Sequence, residues 1–308
     1  MQKFLKKEDF NGFINRLISN YEVIAPVNSD VVKFEIIKSA DEIYLDKIPF
    51  FSPKRFFLPN KEKILDFKSN EVKVPRYKIK PRILFGARKC DLNALLKIDR
   101  LYTGDLFYKD KRENTILIGF HCDNPDEYCF CNSMELKDYY DLFFYDDGDK
   151  FLIDVGTDTG KKLVLKLKDI KFLKREIENE RNLDKKDLWK YFNDNVWNKI
   201  VEDCLSCGAC TNLCPSCCCF DVIEDININL KDGNRIRIND SCQMKDFTKI
   251  SENFFSRESR KSRYRHFVYH KLQYFRDEFN EYMCTGCGRC TRGCPTRIDF
   301  VKAVNSLK

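Results

Sequence analysis

Residues 204–215 read CLSCGACTNLCP, and residues 284–295 read CTGCGRCTRGCP. Both are the pattern C-x2-C-x2-C-x3-C-P, carried by Cys204, Cys207, Cys210 and Cys214 and again by Cys284, Cys287, Cys290 and Cys294. The spacing suits a cubane iron–sulfur cluster. Three cysteines two residues apart wrap a short loop round one cluster, and the fourth is left to reach elsewhere. When two such runs share a domain, each fourth cysteine ligates the other run's cluster. The expected cluster I is therefore held by Cys204, Cys207, Cys210 and Cys294, and cluster II by Cys284, Cys287, Cys290 and Cys214. Each repeat completes its neighbour, and the intervening chain must loop out and return. Gly208, Gly286 and Gly288 let backbone N–H groups approach sulfide. The proline after each fourth cysteine turns the chain away. Zinc is the competing reading, but its sites pair two C-x2-C elements a dozen or more residues apart. Four cysteines packed so tightly, twice, fit zinc poorly.

Working outward, the chain has 308 residues, 43% hydrophobic and 33% charged, enough for one large or two medium domains. No apolar run reaches the ~18 residues a membrane span needs. The start, MQKFLKKEDF, lacks the apolar region of a signal peptide. Sixteen cysteines without a leader point to a reducing, cytoplasmic compartment and to metal rather than disulfides. The formal charge of +7 is weak evidence for nucleic acid, because every ligating cysteine is a thiolate.

The expected fold class is α+β, with an N-terminal α/β domain over 1–195. A mostly helical, two-cluster ferredoxin-like domain follows over 196–308, with an insert at 216–283 between the motifs. EDFNGFINRLI (8–18) has helical spacing, and VVKFEII (31–37), RILFG (82–86) and ENTILIGF (113–120) read as strands. DLNALLKIDRLY (91–102) reads as a helix with Asp91 as N-cap. DLFFY (141–145) and KFLIDVG (150–156) form a hairpin turned at Asp147-Gly148. A charged helical stretch is expected over roughly 169–200, and the part of the insert at 252–282 reads as mostly helical.

Four cysteines lie in the first half. Cys90 and Cys122 each follow a strand, and Cys129 and Cys131 form a C-x-C in the next loop. If the strands are parallel neighbours, both leading cysteines stand at carboxyl ends, where such sheets build sites. Together the four are candidates for a third cluster, against the plainer reading of buried thiols. Cys217, Cys218, Cys219 and Cys242 could pack against a cluster, donate hydrogen bonds or bind a further group, with a structural role as the expectation. The three histidines, His121, His266 and His270, support no catalytic constellation. The basic, aromatic stretch RESRKSRYRHFVYHK (257–271) is read as offsetting nearby anionic clusters or docking an acidic partner, in preference to nucleic acid. No G-x-G-x-x-G or G-x4-G-K-[ST] is present, so a nicotinamide or nucleotide site is expected on another subunit.

CPSCCCFDV, NDSCQMKDF, RYRHFVYHK and MCTGCGRCTRGCP resemble the β subunits of cytoplasmic sulfhydrogenases. So do FSPKRFF, FGARKCDLNALLKIDRLY, DEYCFCN and DLFFYDDGDKFLIDVGTDTGKKLV in the first half. The electron-transfer subunits of anaerobic sulfite reductases look like more distant relatives with the same parts. The resemblance implies an electron-transfer subunit with [4Fe–4S] clusters on the eight motif cysteines. Its implied partners are a nickel–iron hydrogenase pair and a flavin-binding NAD(P)H subunit, with sulfur or polysulfide as an associated acceptor. The chain departs from the family's C-P-T-C-x-C stretch at Cys218, and it is short before the first repeat. The alternatives are the electron-transfer subunit of a sirohaem sulfite reductase, and a cluster-stabilised interaction module whose metal is structural.

Overall fold

The structure is a computed structural model that describes residues 1–69 and 71–308. The first half contains β1 (Gln2–Lys6), α1 (Phe10–Asn20), β2 (Glu22–Asn28), β3 (Val32–Ile36), β4 (Lys61–Lys68) and β5 (Glu71–Lys73). There follow β6 (Arg82–Ala87), α2 (Lys89–Leu101), α3 (Leu106–Glu113), β7 (Thr115–Phe120), β8 (Leu142–Asp146), β9 (Lys150–Val155), α4 (Asp158–Leu163) and β10 (Lys168–Asp169). The second half has α5 (Val196–Ile200), α6 (Ala209–Leu213), β11 (Phe220–Ile226), β12 (Asp232–Asn239) and α7 (Arg260–Tyr269). A π-turn at His270–Tyr274 leads into α8 (Phe275–Phe279), and α9 (Arg289–Arg292) and α10 (Phe300–Asn305) close the chain. The chain folds as two compact units. The first is Met1–Pro53, Ile79–Asn182 and Thr285–Gly288, and the second is Lys54–Lys78, Leu183–Cys284 and Arg289–Lys308.

The first unit is built on an eight-stranded sheet of order β10-β1-β9-β8-β7-β6-β2-β3. Its middle strands β2, β6, β7 and β8 run parallel, and the outer pairings are antiparallel. RILFGA in β6 is buried at every position, as a parallel strand covered on both faces must be. Helix α1 lays Phe13, Ile14 and Leu17 on the sheet beside Phe85, Phe144 and Phe151, and this aromatic layer is the core. Since β6 and β7 are parallel neighbours, Cys90 and Cys122 follow their carboxyl ends.

Two local expectations are corrected here. Helix α2 starts at Lys89 with Arg88 at the cap, so Asp91 is not the N-cap but a first-turn carboxylate facing the helix's positive end. Arg88 fixes that start, because its guanidinium donates to the carbonyls of His121 and Leu45. The stretch 169–200 is not a continuous helix. Only the short turn Leu188–Tyr191 and α5 are helical beyond β10. Its side chains serve separate partners along an extended path: Lys174 meets Asp138 and Asp154, Arg175 meets Asp123, and Asn179 meets Cys131. One helical face could not present them all.

The second unit contains an antiparallel sheet of order β11-β12-β4-β5. β11 pairs with β12 from Phe220↔Asn239 to Ile226↔Gly233, so the insert between the motifs carries a hairpin and residues 196–308 are less helical than expected. The signal was local: RIRIN in β12 alternates isoleucine with polar residues, the period of a strand. β4 lies against β12, and Glu62 and Arg237 form a buried ion pair across that seam. The later insert is helical, as expected, through α7, the π-turn and α8. Trp197, fully buried, and Tyr269 anchor these helices within a cage of Trp189, Phe192 and Tyr274.

Candidate metal centres

The two repeats fold alike where their backbones are most constrained. Ser206 and Gly286 occupy the same motif position and both have positive φ, 52° and 66°. Gly208 and Gly288 recur two residues later, at 74° and 69°. The turns after the fourth cysteines also match. The thiol of Cys214 lies 3.5 Å from Ser216 Oγ, and that of Cys294 lies 3.5 Å from Thr296 Oγ1. Ile298 N–H donates to Cys294 Sγ at 3.3 Å and Ser206 N–H to Cys204 Sγ at 3.4 Å. N–H donors of this kind stabilise sulfur that carries negative charge.

Within the second unit, Cys294 of the second repeat comes to the cysteines of the first. The Cys210 thiol is pushed up to about 12, by burial first and then by Cys204, Cys207, Cys214 and Cys294 around it. Buried thiols crowded in this way repel one another as thiolates, and bound iron relieves that repulsion by replacing the protons. Tyr264 is buried against the same group, facing Cys290, Cys210, Cys294 and Cys204. The close approach of the repeats depends on Gly293. A Cβ there would stand 2.0 Å from Leu213 Cδ1 of α6.

Of the other set, Cys214, Cys284 and Cys290 belong to the second unit, and Cys287 lies in the Thr285–Gly288 segment of the first. Cys214 and Cys284 both face the buried Lys271. Burial pulls the Lys271 ammonium down, but the sulfurs of Cys214, Cys217, Cys284 and Cys218 outweigh it and hold the charge on. A second buried ammonium, Lys54 Nζ, donates to the carbonyls of Cys217 (2.8 Å), Cys214 (2.9 Å), Thr211 (3.3 Å) and Asn212 (3.4 Å). Sequence reasoning missed Lys54, and it held Lys271 only as the last residue of the basic stretch 257–271 read as offsetting anionic clusters. FSPKRFF, which holds Lys54, stands out in the sequence only as a point of resemblance.

The four further cysteines of this unit line the same region. The Cys214 thiol is lowered by its hydrogen bond with Cys217, then by Lys271, Ser216 and Lys54, against burial. Cys217 is raised correspondingly. Cys218 is pushed up to about 11, by burial first. Cys219 meets Cys242 where the β11–β12 ladder runs on, with Asp240 N–H donating to Cys219 O at 3.0 Å. The Cys242 bond, then Lys271 and Lys54, bring Cys219 down to about 6 against burial.

In the first unit, Cys90, Cys122, Cys129 and Cys131 are all buried. Burial comes first in raising Cys129 and Cys131, the latter to about 12, and Cys122 and Cys287 add to both. Cys131 Sγ also donates to Asn179 Oδ1 at 3.1 Å. Cys90 and Cys122 flank the buried Arg88 guanidinium. The Thr285–Gly288 segment is seated here. Phe130 N–H donates to Gly286 O at 2.8 Å, Cys129 Sγ to Cys287 O at 3.7 Å, and a Cβ on Gly286 would meet Cys131 Cα at 2.5 Å. A cavity of about 570 Å³ opens beside Cys122, with Arg88, His121 and Arg175 on its wall. His121 is itself buried and tilted against Tyr145 at 5.0 Å.

The basic stretch 257–271 turns much of its charge inward. Arg260 donates to Cys204 O at 2.7 Å, Arg263 to Gln243 O at 2.8 Å, and Arg265 to Phe192 O at 2.6 Å while covering that ring. Among the described residues, no group of three or more His, Cys, Asp or Glu side chains is arranged round a single metal ion. The donors fit four-iron clusters instead. They are all thiols, they come in fours, and N–H groups and the buried Lys271 ammonium attend them.

Comparison with known proteins agrees. Residues 203–298 match the family of 4Fe-4S dicluster domains. Over 332 aligned positions the chain is 32% identical to sulfhydrogenase 2 subunit beta of Pyrococcus furiosus, covering 99% of this chain and 97% of that one. No solved structure matches significantly. Among the described residues, no helix is long and apolar enough to cross a membrane.

Proposed function

The chain belongs to the family of sulfhydrogenase beta subunits, and on that premise we propose that it is the iron–sulfur electron-transfer subunit of an anaerobic oxidoreductase complex. It passes electrons between a flavin/NAD(P)H partner and a hydrogenase or sulfur-reducing site. The observation that supports this is that Cys294 of the second repeat stands with Cys204, Cys207 and Cys214 of the first around Cys210. Cys204, Cys207, Cys210 and Cys294 hold cluster I, and Cys284, Cys287, Cys290 and Cys214 hold cluster II. A bound [4Fe–4S] cluster supplies one-electron transfer. The protein's part is to hold all four corners of each cluster, so that substrate has no open coordination position. Tyr264 and the packed helices exclude water, and Arg263 and the buried lysines balance negative charge.

Cys90, Cys122, Cys129 and Cys131 hold a third cluster in the first unit. Replacing Cys207 with Ser in the intact complex tests the relay. Turnover from NAD(P)H to the terminal acceptor should fall by at least tenfold while each partner's own dye-linked reaction survives. Undiminished overall turnover refutes it. Nickel in the co-purified partner assigns a hydrogenase, and sirohaem assigns a sulfite reductase.

A further inference from the structure

We propose that Lys271 sets the two clusters apart in reduction potential, making the one ligated by Cys214 and Cys284 the easier to reduce. The proposal rests on the ligand sets given above. Lys271 is 1% exposed, and its Nζ donates to Ser216 Oγ at 2.9 Å. Among the described residues, no carboxylate pairs with it, and it faces the sulfurs of Cys214, Cys217, Cys284 and Cys218, of which Cys214 and Cys284 are the ligands. Burying an ammonium without a counter-charge costs several kcal/mol. The counter-charge here is thiolate, and a cluster that gains an electron supplies more of it.

The main chain fixes the placement. In the π-turn His270–Tyr274, the Lys271 carbonyl accepts from Met283 N–H at 2.9 Å and Cys284 N–H at 3.2 Å. π-turns are uncommon and concentrate at functional sites. One residue thus holds the second repeat by its backbone and the first repeat by its side chain.

Cluster I is attended differently. Arg263 faces Cys204, but its guanidinium is spread over Ser206 Oγ and the carbonyls of Gln243, Arg257 and Glu258. Arg260 donates to the Cys204 carbonyl. Near Cys214, by contrast, stand two compact ammonium groups, Lys271 and Lys54. A point charge in a low-dielectric interior acts strongly on a neighbouring redox centre, and positive charge favours the reduced form.

The test is a redox titration of the full chain, loaded with iron and sulfide under anaerobic conditions and followed by electron paramagnetic resonance. The unaltered chain should show unequal midpoints, and Cys284→Ser should alter the spectrum of the higher one. In Lys271→Met, the reduced-to-oxidised ratio of that cluster at fixed potential should fall at least tenfold, which is 59 mV for one electron. The cluster I midpoint should stay, and Lys271→Arg should restore most of the shift. Lys271→Gln, which keeps a hydrogen-bond donor without charge, serves where the methionine variant does not assemble. Unmoved midpoints in an assembled uncharged variant, or equal midpoints in the unaltered chain, overturn the proposal. Failure of the ligand assignment reads differently: Cys284→Ser then leaves every cluster spectrum unaltered.

Discussion

Gly293 has no side chain because Leu213 already fills the space one would need. Gly293→Ala should therefore destabilise the protein by about 1–3 kcal/mol, the usual cost of an overpacked core. The same change in a Leu213→Ala background should cost much less, since the clash is with that side chain. Urea denaturation of the four proteins checks this, and strictly additive effects would remove the explanation. The contact was invisible in TRGCP, where Gly293 looks like one more loop glycine. The eight motif cysteines were legible because a cluster loop is a local object, written within twelve consecutive residues. Lys54 was not, and Lys271 was read only as part of a basic stretch, because the meaning of each lies in what surrounds it. Lys54 sits 160 residues from the Cys214 carbonyl it binds, and nothing in its own neighbourhood marks it as buried.

The helical stretch from α7 through the π-turn carries His266 and His270 with their rings 5.8 Å apart. Burial, with Arg257, holds His266 down to about 4. Burial, then Lys271 and His266, holds His270 down to about 3. Above the ordinary histidine value near 6.5 both are neutral in the folded and unfolded chains, and their contribution is fully present. As pH falls from about 6.5 toward 4, the unfolded chain takes up protons that the folded one refuses. Each histidine then removes up to ~1.4 kcal/mol of stability per pH unit. Denaturation midpoints at pH 7, 6 and 5 should fall more steeply for the unaltered chain than for a His266→Gln, His270→Gln variant. Equal slopes would show that these rings do not govern it. At this scale the sequence was readable where short apolar runs are bounded by turn residues, as in β6, β7 and the β8–β9 hairpin. It misled where charge mimicked a helix at 169–200, because those side chains are individual ties rather than a solvated face.

For the whole molecule, the question is how many clusters one chain holds. Three sets of four cysteines predict about twelve irons, and two sets about eight. Iron and acid-labile sulfide, counted on anaerobically loaded protein, should give about twelve. Changing Cys129 and Cys131 together to Ser should bring the count to about eight while the clusters of the repeats persist. A count of eight in the unaltered chain would leave Cys90, Cys122, Cys129 and Cys131 as packing thiols. The sequence offered this third set only by strand-end logic, since Cys90 stands in the first turn of α2, the other three lie in the β7–β8 connection, and the four follow no fixed spacing. The way the chain is shared between its units has a further result, in time rather than space. Glu62 is made 175 residues before Arg237, its partner across the β4–β12 seam. At about 5–20 residues per second of synthesis, the strand KEKILDFK waits on the order of ten to thirty seconds on the ribosome for its neighbour. Its three lysines suit that delay, because charged edges, lysine above all, discourage a waiting strand from pairing with the wrong chain.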